Sequence, residues 1–378
     1  MAGIYIHIPF CKQACTYCNF HFSTSLKLKD EVMAAILREI EMQKDYLQGA
    51  EIETIYFGGG TPSLLSADEI NNITELIYRH YNIKQLREFT LETNPDDLSP
   101  EYIRTLRNTQ VDRFSIGIQS FREQDLKYMN RAHTAQQSDR AIKTAQDMGY
   151  TNLTIDLIYG TPGLTDADWK YNLQQVKELG IPHFSAYALT VEEGTALYHH
   201  IRQKKTRPVD NEQSAAQFEM LMEQADAMGY EHYEISNLAL PGKYAVHNTN
   251  YWMGKTYLGI GPSAHSFDGK NRRWNIANNA LYAKSILAEH ALPYEEEHLT
   301  VTEHLNEYIM TSLRTMWGCN LDKITAMTGS DIVKQILADA AIFIENGELE
   351  YKDHKLILTN KGRLIADRIA GALFITKQ

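Results

Sequence analysis

Residues 3–188 alternate short runs rich in Ile, Phe, Tyr and Thr with longer stretches whose apolar positions recur at helical spacing. The short runs predict strands at 3–8, 53–57, 88–92, 113–119, 152–159 and 183–188. Between them, Val32, Ile36 and Ile40 share one face of a helix predicted over 30–47. Ser66 with Glu69 forms a capping box ahead of Ile70, Ile73 and Ile77, and Ser99-Pro100 starts another helix. Six β-then-α units require a parallel sheet with right-handed crossovers. Periodicity alone leaves both a barrel and a doubly wound sheet open. In either, ligands meet the C-terminal ends of the strands.

Beyond Ala188 the pattern weakens. A helix is expected over 211–228, a short strand over 230–235, and an irregular aromatic-rich stretch over 237–267. From about Thr302 the chain turns helical, then places short strands at 349–351 and 356–358 before a helix over 361–369. That order predicts a small winged-helix-like domain. The resulting division is 1–236 for the sheet domain, 237–300 for a connecting region and 301–378 for the C-terminal domain.

Composition narrows the function class. A chain of 378 residues with 43% hydrophobic and 22% charged positions has room for more than one packed core. A formal charge of −11 argues against a phosphate-neutralising surface, so no nucleic-acid partner is expected. No apolar run is long enough to span a bilayer, and the first residues lack the basic-then-apolar order of a signal peptide. A cytoplasmic, reducing location is the corresponding expectation.

The polar residues of interest gather at predicted strand ends. Cys11, Cys15 and Cys18 follow the first strand, Gly58-Gly59-Gly60-Thr61-Pro62 the second, Glu92 closes the third and Gln119 the fourth. Three thiolates spaced C-x3-C-x2-C suit a 4Fe-4S cluster with one iron left open. A zinc site completed by His7 or His21 is the rival reading, while a disulfide would leave one thiol over. The glycine run lacks the Lys-Ser/Thr of a phosphate loop, so it is either a tight turn or a grip for an amino-acid head group. Cys319 stands alone and is expected to be a packed apolar side chain.

The string from Tyr5 to Cys18, with the glycine run, resembles the radical S-adenosylmethionine superfamily. Within it the chain is similar to oxygen-independent coproporphyrinogen III oxidases and the related HemW-type haem chaperones. That resemblance implies an open (β/α)6 partial TIM barrel of α/β class. It also implies that the cluster passes an electron to S-adenosylmethionine, and so requires an external reducing donor. Tyr5, Gly59 and Glu92 fall where the oxidase branch contacts the cluster-bound S-adenosylmethionine. Tyr17, Gly60, Thr61, Gln119, Arg131 and Asp156 fall where it contacts a second one, and His265 falls near the first.

Two departures separate the chain from the oxidases. These follow the third cluster cysteine with glycine and a further cysteine, where this chain has Asn19 and Phe20, and they carry an extension before the first strand. Both features suit the chaperone branch. His247-Asn248-Thr249-Asn250-Tyr251-Trp252 matches the H-N-x-x-Y-W motif associated with haem in that branch, which implies His247 as an axial ligand and an acceptor protein as partner. A histidine hydrogen-bonded inside an aromatic loop is the plainer alternative.

Overall fold

The computed structural model describes residues 1–376. Six parallel strands lie in chain order: β1 (Ala2–Ile8), β2 (Ile52–Gly59), β3 (Glu88–Thr93), β4 (Arg113–Gln119), β5 (Leu153–Tyr159) and β6 (His183–Ala188). Each crossover carries at least one helix, as parallel pairing demands. Ser66 and Glu69 form both halves of the expected capping box on Ala67–His80, and the Ser99 hydroxyl accepts from the Tyr102 amide to start Pro100–Leu106. The helix expected over 30–47 stops at Met42. Beyond it the chain turns, with Gln48 and Gly49 in the left-handed region at φ 49° and 75°.

Within the sheet the strands alternate between two environments. Ile55, Phe57, Phe89, Leu91, Phe114, Ile116, Ile155 and Phe184 are buried in the main hydrophobic core, which the flanking helices complete. The intervening positions, including Tyr56, Glu92, Ser115, Asp156 and Ser185, line an interior cavity. A doubly wound sheet is covered by apolar helices on both faces, so this alternation marks a curved, open barrel.

The stretch expected to be irregular is ordered. Residues 237–267 include β8 (Asn237–Ala239), β9 (Tyr257–Ile260) and β10 (His265–Phe267), with β7 (Glu231–Glu234) just before and β11 (Asn271–Asn275) and β12 (Tyr294–His298) after. β9 adds parallel to β1, and β10 to β12 follow antiparallel; β8 and β7 extend the opposite edge from β6. Strands of three to five residues are too short to reveal a period. Two long segments of the chain thus close on both sides of the barrel.

The C-terminal part has its own core of Leu305, Ile309, Leu313, Ile324, Ile336, Phe343, Leu356 and Ile369, in which Cys319 is 1% exposed. Its sheet runs β13 (Cys319–Asn320), β15 (Lys355–Leu358), β14 (Leu349–Lys352), and the helices Val301–Leu313, Leu321–Thr328 and Ser330–Glu345 pack around it. The expected helix 361–369 is broken into Asn360–Arg363 and Ala366–Ala372, with Ile365 between them at φ −127° and ψ 27°. This part meets the barrel through backbone bonds, Ile235 N to Arg314 O at 3.0 Å and Met316 N to Tyr233 O at 2.9 Å. No helix among the described residues is long and apolar enough to cross a membrane.

Candidate functional site

The loop after β1 is fastened before it reaches the cavity. Its Cys11 amide donates to Ser23 O at 3.0 Å and its Thr16 amide to Met129 O at 3.0 Å, so the cysteine segment is held at both ends. Cys11, Cys15 and Cys18 are free, half-buried thiols on the wall of a cavity of about 810 Å³. Tyr5, Tyr17, Gly59, Gly60, Thr61, Glu92, Gln119, Arg131, Asp156 and His247 line the same cavity. The strand ends, the loops after them and the helix Val246–Trp252 thus bring these predicted residues to one cavity. His265 is the exception: it is exposed on β10 beside Trp274, with ring centroids 5.9 Å apart, and is not on the cavity wall.

Packing explains much of the glycine run. A Cβ on Gly58 would lie 2.8 Å from the Tyr5 ring and 2.9 Å from that of Tyr56. On Gly60 it would lie 2.6 Å from Phe10 O, a backbone atom that cannot yield. Gly59, at φ 106°, points its amide at Glu92 Oε2, 3.1 Å away. Close approach of β1, β2 and the cysteine loop thus demands glycines here even before a ligand is considered.

Two carboxylates face this cavity in a low-dielectric setting. Burial raises Glu92 to about 7, against the hydrogen bonds from Tyr56 Oη at 2.8 Å and from Gly59 N. Asp156 is raised by burial to about 6, with Ser185, Arg113 and Arg131 opposing. Opposite them Arg131 donates to Asn94 Oδ1 and Gly117 O, both at 2.7 Å, and to Cys15 Sγ at 3.3 Å, while its Nε is buried without a partner. Gln119 adopts φ 68° where the β4–β5 register shifts, a bulge that displaces the strand end beside the site.

His247 sits on the cavity wall inside a cluster of tyrosines. Its imidazole is 2% exposed, with Nδ1 2.8 Å from Thr54 Oγ1 and Nε2 2.8 Å from Tyr251 Oη. The ring also stacks on Tyr56 at 5.0 Å, and burial lowers its pKa to about 3. Both ring nitrogens are hydrogen-bonded, so the single lone pair of the neutral imidazole accepts from a hydroxyl that an iron would have to displace. The tail of the motif behaves differently: Tyr251 and Trp252 reach a second cavity.

The radical SAM superfamily profile matches residues 5–176, and the HemN C-terminal domain profile matches residues 299–365. The chain is 34% identical to the heme chaperone HemW of Mycobacterium tuberculosis strain H37Rv over 376 residues, covering 98% of this chain and 94% of that one. It belongs to the HemW family. The Escherichia coli K12 HemW is 36% identical over 350 residues, covering 89% of each chain, and that of Bacillus subtilis 31% over 378, covering 98% and 99%. The coproporphyrinogen III oxidase HemN of Escherichia coli superposes with a TM-score of 0.85 at 21% identity, covering 99% and 90%, which shows a shared fold.

Membership of a radical SAM family implies a 4Fe-4S cluster and S-adenosylmethionine, and the residues present fit both. Burial pushes the Cys11 thiol up to about 11 and raises that of Cys18, so thiolates there need a cation beside them, as cluster iron provides. The unpartnered Arg131 Nε and the nearby carboxylates offer opposite charges to an amino-acid head group.

Sequence reasoning missed Tyr56, Asn94 and Arg113. Tyr56 joins Glu92 to His247, and Asn94 holds both Arg131 and, at 3.2 Å, Thr61 Oγ1. Arg113 is fully buried, 3.8 Å from Glu88, with Nη2 unpartnered. A signal existed: Arg113, Ser115, Gly117 and Gln119 alternate with Phe114, Ile116 and Ile118, so the polar face of β4 is readable as the cavity side.

Proposed function

We propose that this chain binds haem and delivers it to an acceptor protein, with a 4Fe-4S cluster and S-adenosylmethionine held in the barrel cavity. The near-full-length similarity to heme chaperones of three distant bacteria carries this reading. In it Cys11, Cys15 and Cys18 hold three irons and leave the fourth to S-adenosylmethionine. When bound, the cluster supplies an electron to the sulfonium of that cofactor.

The remaining contributions come from the chain. Glu92 and Asp156 accept from ammonium or ribose hydroxyls, and Arg131, fixed by Asn94 and Gly117, pairs with a carboxylate. Gly59, Gly60 and Thr61 bring backbone within reach of that head group, while Tyr5, Tyr17 and Gln119 complete the wall. Tyr56, wedged between Glu92 and His247, fixes the carboxylate's orientation. The reducing electrons come from an external donor, and a reducing cytoplasm suits the three unpaired cysteines beside the cavity.

The test is anaerobic cluster reconstitution followed by parallel haem titration and coproporphyrinogen turnover. About four irons and four sulfides per chain, haem binding, and no conversion of coproporphyrinogen III are expected. Phe20 in place of the oxidase cysteine motivates the last of these. Sustained turnover without haem binding would replace the carrier with an oxidase.

A further inference from the structure

A haem carrier needs a group to meet the iron, and His247 is already bonded at both nitrogens. A second cavity, of about 800 Å³, adjoins the first and shares Tyr187, Ser236, Asn248, Tyr251 and Arg314 with it. Its volume is within the range of cofactor sites. Trp252, Tyr257 and Phe267 from the barrel side and Tyr308 from the helix Val301–Leu313 supply aromatic wall. Such rings suit a flat apolar macrocycle.

The same cavity holds one histidine among its described lining residues, His304. It is half-buried on the helix Val301–Leu313, 6.3 Å from the Phe267 ring centroid, and neither ring nitrogen has a hydrogen-bond partner among the described residues. A capping box of Thr300 and Glu303 fastens that helix one residue before His304. A free imidazole on an anchored helix, facing an aromatic cleft, is the donor that a porphyrin iron takes.

The cations divide into committed and available. Lys255 is tied to the buried Glu53, and Arg272 makes a two-pronged pair with Glu307 at 2.8 Å on both arms. Arg314 pairs with Asp367, but that carboxylate is 84% exposed, so little is lost on exchanging it. Lys323 Nζ lies 4.1 Å from the Tyr308 ring centroid and has no carboxylate partner among the described residues. Lys323, and Arg314 on exchanging Asp367, are thus the cations available to meet two propionates.

We propose that haem seats in this second cavity with His304 as its iron ligand and Arg314 and Lys323 at its propionates, leaving the barrel cavity to the cluster and S-adenosylmethionine. The inference rests on the haem-carrier reading and goes beyond it by assigning the ligand and the cleft. Bonding is donation of the neutral imidazole lone pair to iron, with no change of oxidation state. His247 then orders the Tyr251 side chain through its 2.8 Å hydrogen bond, acting as a positioning residue.

Ferric haem titrated into the full chain and followed by absorption and electron paramagnetic resonance decides it. Wild type should show histidine-type ligation, His304→Ala should lose that signature and weaken binding about tenfold or more, and His304→Met should bind with a methionine-type spectrum. Pairing Arg314→Ala with Lys323→Ala should raise the Kd about fivefold or more without altering the ligand signature, while His247→Ala keeps it. If both His304 variants keep the wild-type spectrum and affinity, or if His247→Ala alone loses the signature, the assignment falls while the carrier reading stands. Absence of haem binding in wild type would overturn both.

Discussion

The first cavity takes its walls from the ends of successive parallel strands, whereas the second takes Trp252, Tyr257 and Phe267 from one stretch and His304, Tyr308 and Lys323 from another. Strand-end sites follow from topology: once the sheet is parallel, residues after β1, β2, β3 and β4 must meet at one edge. A seam between two packed parts obeys no such rule. Its residues come together through tertiary contacts, among them the backbone bonds of Met316 and Ile235 and the Arg272–Glu307 pair. One chemistry is therefore written into local order and the other into tertiary packing.

The largest expected effect separates the two directly. Changing Cys11, Cys15 or Cys18 to Ala should take iron from about four per reconstituted chain to near zero, measured by iron and sulfide analysis. Haem affinity in the same variants should remain within about twofold of wild type if the cavities work independently. Stoichiometric zinc with no labile sulfide would instead remove the cluster from the first cavity.

Next in size is a pH effect confined to the barrel. Glu92 at about 7 binds its proton more tightly folded than unfolded, so the folded state holds the extra proton between the ordinary glutamate value and pH 7. Stability of the cluster-free protein should fall as pH rises across that window, by on the order of 3 kcal/mol. Asp156, raised to about 6, adds a loss with the same sign at lower pH. Urea unfolding at pH 5 and pH 8 measures this. Glu92→Gln should flatten the slope and His304→Ala should leave it unchanged; a rise in stability over the window would contradict the burial argument.

His247→Ala should cost about 2 kcal/mol in the same unfolding assay. It leaves a void beside Tyr56 and strips the buried Thr54 hydroxyl of its partner. A loss below about 0.5 kcal/mol would mean that the ring is not packed as described. Smallest is Thr300→Ala, at about 1 kcal/mol for the loss of a cap. That change should loosen the helix bearing His304 and weaken haem binding, with cluster iron unaltered.

The same contrast explains what was legible in the sequence. The six long strands, the Ser66–Glu69 capping box and the cysteine and glycine segments were readable because each depends on residues within a few positions of one another. For His247 the motif names one hydrogen-bond partner, Tyr251, and omits the other. Only the fold places Thr54 against Nδ1, across 193 positions, whereas Tyr251 at Nε2 lies four positions on within the motif. β9 and β10 escaped notice because four and three residues carry no period, although they complete the wall on which Tyr257 and Phe267 sit. Arg113 was within reach, since the alternation of polar and apolar positions in β4 already separates a cavity face from a helix face.

Simultaneous occupancy decides whether one chain carries two separate sites. Reconstituted protein should be saturated with S-adenosylmethionine, titrated with haem, and monitored by the cluster's electron paramagnetic resonance together with haem absorption. Two adjoining cavities predict one haem per chain bound with an affinity independent of S-adenosylmethionine, and a cofactor-perturbed cluster signal that persists at haem saturation. Loss of that signal in proportion to haem bound, with S-adenosylmethionine released, would place both in one cavity and contradict the division.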